Sequence, residues 1–92
     1  MDDNLSWRAQ LARSNINILN ITWNKDQTVV DVFFEFMYRP YNGQIKWCKT
    51  WVQVAGRVMD GYMEDLQEAV SGEEIAQVLR DETLKLRKEL ER

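Results

Sequence analysis

Histidine is absent from this chain of 92 residues, and it contains a single cysteine, Cys48. Without histidine the chain lacks the commonest general base and the commonest protein ligand for metals. One cysteine cannot form an intramolecular disulfide and gives no pair of thiolates for a metal ion. We therefore expect no catalytic residue, no metal site and no cofactor.

Long apolar runs are also missing. The uninterrupted apolar stretches that do occur, such as residues 32–34, are only a few residues long, whereas a membrane span requires roughly 18. The first residues are acidic, whereas secretory and mitochondrial targeting segments begin with basic residues. These absences predict a cytoplasmic protein with neither a membrane nor a small-molecule substrate among its partners.

Apolar side chains are plentiful. They make up 45% of the chain and include four Trp, three Tyr and three Phe, enough for a packed core. The length suits one domain, residues 1–92. Charge is uneven: residues 1–56 hold six basic and five acidic side chains (+1), and residues 57–92 hold six and ten (−4). This asymmetry indicates surfaces that face different partners.

Hydrophobic periodicity predicts one helix followed by strands. The helix covers residues 4–14, with Asn4 or Ser6 as its N-cap. Two strands follow at residues 16–23 and 28–38, joined by a polar turn. In the second strand the even positions are apolar and the odd positions include acidic residues. The even positions are therefore predicted to face the core.

A hairpin with two alternative registers follows. Asn42-Gly43 suits a two-residue turn, because both positions tolerate the positive φ that such a turn demands. In that register Phe34 faces Trp51, and Trp47 lies on the same apolar side. A loop one residue longer moves both tryptophans to the charged face, and the sequence leaves both registers open. The first register assigns Ile45 and Lys49 to the apolar side, and Lys46 and Thr50 to the charged side with Asp31 and Glu35.

Helical periodicity returns over residues 56–70 and again over residues 73–91. Ser71 is predicted to cap the last helix, with Glu74 completing a capping box. The predicted fold class is α+β, with order α-β-β-β-α-α and a three-stranded antiparallel meander packed against helices on one face. The apolar side of the last helix comprises Ile75, Val78, Leu79, Leu86 and Leu90.

A basic and aromatic cluster near the hairpin is the first candidate surface. Proteins that bind single-stranded nucleic acid combine cations with stacking aromatics. The order α-β-β-β-α is similar to that of double-stranded RNA-binding domains, but their lysine cluster is replaced here by Arg57 among carboxylates. The simpler interpretation buries the tryptophans and leaves the lysines in solvent. The cluster consists of Arg39, Tyr41, Lys46, Trp47, Lys49 and Trp51.

A row of carboxylates is the second candidate. Asp60, Glu64 and Glu68 recur every four residues on one side of the predicted helix 56–70. Such spacing brings like charges together at a cost of a few tenths of a kcal/mol per pair. A partner rich in Lys or Arg would bind this row, although a solvated helix face is the simpler interpretation.

Two further features receive weaker interpretations. Leu84 lies off the main stripe of the last helix, which offers an edge for dimerisation, so a monomer or weak dimer is expected. Asp31 and Glu35 share a strand face, but no metal-ligand pattern or phosphate loop accompanies them. Cys48 has no histidine to activate it. We expect the protein not to be an enzyme.

The chain resembles phage-encoded anti-CRISPR proteins, in particular inhibitors of the type I-F surveillance complex. The similar features are small size, acidic balance, absence of histidine and disulfides, and a sheet with helices, centred on residues 16–18, 23–26 and 47–51. The resemblance implies a stoichiometric inhibitor that sits on Cas subunits, with possible contact to guide RNA, and blocks target DNA or nuclease recruitment. The alternatives are a nucleic-acid-binding accessory protein and a self-associating module. The residues predicted to bind the partner are Arg39, Lys46, Trp47, Lys49, Asp60, Glu64 and Glu68.

Overall fold

A three-stranded antiparallel sheet forms the middle of the fold, and its strand order is the chain order. The computed structural model describes residues 3–56 and 68–92, with side chains from residue 6 onward. The elements in this part of the chain are α1 (Asp3–Arg13), β1 (Ile16–Trp23), β2 (Val29–Tyr38), β3 (Lys46–Ala55) and α2 (Gly72–Leu90). The α+β class is confirmed. The helix predicted over residues 56–70 lies mostly outside the described residues, and residues 68–70 are not helical.

Helix α1 packs on the sheet through residues four apart. Trp7 and Leu11 are buried, and this spacing places both on one face of the helix. The helix begins before Asn4 and Ser6, so both lie inside it and the predicted N-caps are wrong. After α1 the chain turns at Asn15, whose positive φ of 60° suits the tight passage into β1.

Strand β2 lies between the other two strands and contributes the largest share of the core. Its even positions are fully buried from Val30 to Phe36, as the alternation predicts. Residues Ile75 and Leu79 of α2 cover this side, which we call the inner face of the sheet. The core cluster is Trp7, Leu11, Ile16, Val30, Val32, Phe34, Phe36, Val54, Val70, Ile75, Ala76 and Leu79.

The register of β2 with β3 differs by one residue from the two-residue hairpin. Phe33, not Phe34, is opposite Trp51, and the pairing ends where Tyr38 meets Lys46. The turn is centred on residues 41–42, because the Gly43 N–H donates to the Pro40 carbonyl at 2.8 Å. Both tryptophans therefore lie on the charged face. In this register Lys46 and Thr50 are on the inner face and Lys49 is on the charged face, the reverse of their positions in the two-residue hairpin.

Packing explains why this register is adopted. Phe34 and Phe36 already fill the inner face, so the neighbouring strand has room there only for small side chains. In the observed register β3 supplies Thr50, Val52 and Val54 to that face. The predicted register would have inserted two tryptophans beside the two phenylalanines, which would overpack the core.

Strand β1 pairs with β2 less regularly. The register shifts between Ile18 and Asn20, so that Leu19 forms a bulge and is half-exposed. Asn24 stabilises the turn between β1 and β2. Its side-chain Oδ1 accepts hydrogen bonds from the Thr28 N–H at 2.9 Å and from the Val29 N–H at 3.1 Å. The turn predicted at residues 24–27 is confirmed.

Helix α2 begins at the predicted cap. The Glu74 N–H donates to Ser71 Oγ at 3.2 Å, as a capping box requires. Gly72 lies against the indole of Trp7, and a Cβ there would overlap the ring. The predicted apolar stripe is confirmed, since Ile75 and Leu79 are buried and the remaining members pack at the edge of the core.

The chain segments on either side of residues 57–67 meet at the end of the sheet. The Gly56 N–H donates to the Thr28 carbonyl at 2.7 Å, and the Val70 N–H donates to the Gln27 carbonyl at 3.0 Å. A Cβ on Gly56 would overlap the Glu68 carbonyl oxygen, so this close backbone approach requires glycine.

Thr83 of α2 is a polar residue inside the core. It is 1% exposed, and its Oγ1 has no hydrogen-bond partner among the residues that the structure describes. Burying an unpaired hydroxyl costs about 1–3 kcal/mol, and valine has nearly the same shape and helix propensity.

We therefore expect Thr83→Val to raise the free energy of unfolding by about 1 kcal/mol in urea titrations. Thr83→Ser is the control, because it keeps the hydroxyl and removes the methyl group, and it should lower stability. Equal or lower stability of the valine variant would show that the hydroxyl has a partner.

Candidate binding surface

The side of the sheet opposite the helices carries alternating polar and apolar pairs across β2 and β3. We call this side the outer face. Its apolar pairs join Phe33 to Trp51 and Met37 to Trp47. Its polar pairs are Asp31 with Gln53 and Glu35 with Lys49.

Three of the four side chains in the apolar pairs are exposed. Phe33, Trp47 and Trp51 are 41%, 46% and 56% exposed, and the Phe33 and Trp51 rings stack with centroids 6.1 Å apart. Three aromatic side chains of about 200 Å² each, near half exposure, present on the order of 300 Å² of ring surface. The Glu35–Lys49 pair lies between the two apolar pairs, so this ring surface is divided into two neighbouring parts. Exposed apolar surface of this total size is common at interaction sites.

The carboxylates of the outer face already have neutral partners. Asp31 Oδ1 accepts from Gln53 Nε2 at 3.0 Å, and Glu35 Oε2 accepts from Asn17 Nδ2 at 3.3 Å. Lys49 lies directly across from Glu35 in the register. The aromatic rings, which are 41–56% exposed, are the largest groups on this face that a partner can contact.

The third strand makes the outer face asymmetric. Asn17, Asn20 and Thr22 of β1 lie opposite outer-face residues of β2, and all three are exposed and polar. The apolar pairs belong to β2 and β3 alone. The exposed apolar surface of the outer face therefore lies toward the β3 edge of the sheet.

The predicted basic and aromatic cluster is divided by the observed register. Trp47, Lys49 and Trp51 are on the outer face, whereas Lys46 is opposite Tyr38 on the inner side. Arg39 follows β2, and its N–H donates to Glu91 Oε2 at 2.7 Å, which ties this loop to the end of α2.

Two residues of the outer face were missed as candidates. Phe33 and Met37 share a strand face with Asp31 and Glu35, and that parity is visible in the sequence. The loop between β2 and β3 adds two more exposed apolar side chains, Tyr41 and Ile45.

Of the three residues in the carboxylate row, Glu68 belongs to the described part of the chain. Asp60 and Glu64 lie outside the described residues, and Glu68 is exposed at the start of the segment that leads into α2.

The two carboxylates of the outer face, Asp31 and Glu35, are four residues apart on one strand, which separates their Cα atoms by about 13 Å. Cys48 is half-buried on the inner face, and no group of metal-binding side chains occurs within residues 3–56 and 68–92.

A cleft also lies between α1 and α2. Its volume is about 250 Å³, smaller than the roughly 300–1,000 Å³ of sites that enclose small molecules. Its lining is largely polar and includes Gln10, Gln77 and Arg80. The cleft has the character of an ordinary groove between helices.

Comparison with known proteins gives no relative: no family model, curated protein or solved structure matches the chain. In the part of the chain that the structure describes, no helix combines the length and apolar character needed to cross a membrane.

Proposed function

We propose that this chain is a non-catalytic binding protein that covers a surface of a protein partner with its outer face. The observation that carries the proposal is the exposure of Phe33, Trp47 and Trp51 on one rigid sheet. Aromatic side chains, tryptophan above all, are enriched among the residues that dominate binding energy at protein interfaces. A sheet backed by a packed core presents them at little entropic cost.

The charge of the outer face favours a protein over a nucleic acid. Asp31 and Glu35 flank the rings, and Lys49 is the single cation in the paired β2–β3 part of the face. The whole chain has a net charge of −3. Binding to phosphate backbones depends on many cations, so stacking alone would have to offset this repulsion.

The partner we propose is a type I-F CRISPR surveillance complex in the host cytoplasm. This part of the proposal rests on the resemblance to anti-CRISPR proteins. Occlusion suits a chain of this size, because an interface of standard size covers about 800 Å² on each partner. Contact with Cas subunits, extended to neighbouring guide RNA, would block target DNA or nuclease recruitment.

The test measures binding of the purified chain to the purified surveillance complex, followed by target-DNA binding. Wild type should co-elute with the complex and abolish the DNA shift. Phe33→Ala combined with Trp51→Ala should weaken binding at least 30-fold, the equivalent of about 2 kcal/mol. Leu84→Ala is the matched control, because it removes an exposed apolar side chain from α2 and should leave binding unchanged.

Two outcomes would redirect the proposal. Absence of wild-type binding to the complex would remove this partner. A strongly salt-dependent shift of short RNA or DNA by the isolated chain, lost in the double variant, would instead assign the outer face to nucleic acid.

A further inference from the structure

The two edges of the sheet differ in their readiness to pair with another strand. Strand β1 carries the Leu19 bulge, which interrupts its register and blunts its edge. Strand β3 has no bulge, and each residue from Lys46 to Ala55 pairs in sequence with β2. No described residue pairs with the other edge of β3. An edge about 33 Å long that none of residues 3–56 and 68–92 pairs with is a template for an added strand.

We propose that the β3 edge pairs in antiparallel fashion with β3 of a second copy of the chain. The two sheets would then join into one of six strands, related by a two-fold axis perpendicular to the sheet. Such an axis keeps both outer faces on the same side. Antiparallel pairing of identical strands is isologous, so each favourable contact occurs twice.

Charge and side-chain chemistry select the register. With the axis at Thr50, that residue faces its own copy, and Lys49 faces Trp51 of the second copy on the outer face. Threonine pairs and cation–aromatic contacts both favour strand pairing. Trp47 then lies opposite Gln53 of the second copy. Moving the axis to Lys49 would set two ammonium groups against each other, which is destabilising.

The charges of β3 restrict the register in which a second copy can pair. The strand contains Lys46 and Lys49 and no acidic residue, yet the register centred on Thr50 places neither lysine opposite a lysine. Thr50 is also close to the middle of β3, so this register pairs nearly the whole strand.

Pairing would enlarge the surface that the outer face offers. The apolar pairs lie on the β3 side of the sheet, so two copies would place their tryptophans next to each other. The aromatic rings of both copies would then lie on the same side of the six-stranded sheet. The pairing itself does not depend on what the outer face binds.

Cysteine cross-linking tests the register directly. In a Cys48→Ser background, Thr50→Cys places one thiol at the axis, where Cα atoms of facing residues lie about 4.5–5.5 Å apart, a separation that a disulfide spans. Oxidation at about 100 µM protein should convert most of the chain to a covalent dimer on non-reducing gels. Asn20→Cys in the same background is the control, since it is exposed on β1 and should remain monomeric.

Sedimentation equilibrium supplies the second measurement. The wild-type mass should rise toward twice that of one chain as concentration increases, and Thr50→Lys should hold it at one chain. Phe33→Ala should leave the dimer intact, which separates this inference from the proposed function. Cross-linking of Thr50→Cys no greater than that of Asn20→Cys, or a monomeric wild type at all concentrations, would overturn the proposal.

Discussion

Phe34→Ala is expected to lower the free energy of unfolding by about 3–5 kcal/mol, the usual loss when a buried phenylalanine is truncated. Phe34 is fully buried in the central strand and lies against Phe36, with ring centroids 6.2 Å apart. Domains of this size are stable by only about 5–15 kcal/mol. The variant should therefore be close to unfolding at room temperature, as measured by urea titration followed by circular dichroism.

The preceding residue provides the matched control. Phe33→Ala removes the same atoms from the same strand, but from the outer face, where the ring is 41% exposed and stacks on Trp51. Its expected cost is about 0.2–1 kcal/mol, the range for a cross-strand pair. Similar losses for the two variants would contradict the assignment of inner and outer faces.

Arg87→Met is expected to lower the free energy of unfolding by about 2–3 kcal/mol. The Arg87 Nε donates to the Met37 carbonyl at 2.8 Å, and its Nη2 donates to the Ser14 carbonyl at 3.0 Å. The guanidinium also lies 5.9 Å from the centre of the Phe36 ring. Through these hydrogen bonds the Arg87 side chain connects α2 to the end of β2 and to the turn between α1 and β1. Urea titration measures the loss.

Two further variants separate geometry from charge. Arg87→Lys keeps the charge, but a single ammonium group cannot reproduce the planar fork that reaches both carbonyls, so most of the loss should remain. Lys88→Met removes a cation from the neighbouring, exposed position and should change stability by less than about 0.5 kcal/mol. A loss with Lys88→Met equal to that with Arg87→Met would indicate a general charge effect.

Local sequence patterns predicted much of the fold. The bounds of β1, the turn at residues 24–27, the buried face of β2 and the Ser71 cap of α2 are confirmed. Each depends on neighbouring residues, through strand alternation, Asn turns or capping. The predicted N-cap of α1 was wrong, because several nearby residues can cap a helix and their patterns overlap.

The candidate surface was only partly predictable. Trp47 and Lys49 were named from their chemistry, and they lie on the outer face. The Asn42-Gly43 dipeptide favoured the register that would have buried Trp47 and Trp51. A shift of one residue reverses the side of every residue in a strand, so a local turn preference could not decide exposure.

Contacts distant in sequence were not predictable at all. Arg87 reads as one more cation of an amphipathic helix, yet its hydrogen bonds reach residues 50 and 73 positions away.

By itself the sequence determined the positions of β1, β2 and α2 to within a few residues, which face of β2 is buried, and the absence of histidine and of paired cysteines. Only the tertiary structure decided that Phe33, Trp47 and Trp51 share an exposed face. The physical reason is volume. Phe34, Phe36 and the helices that cover them leave room in β3 for valine and threonine on the inner face. Trp47 and Trp51 of β3 therefore lie on the outer face.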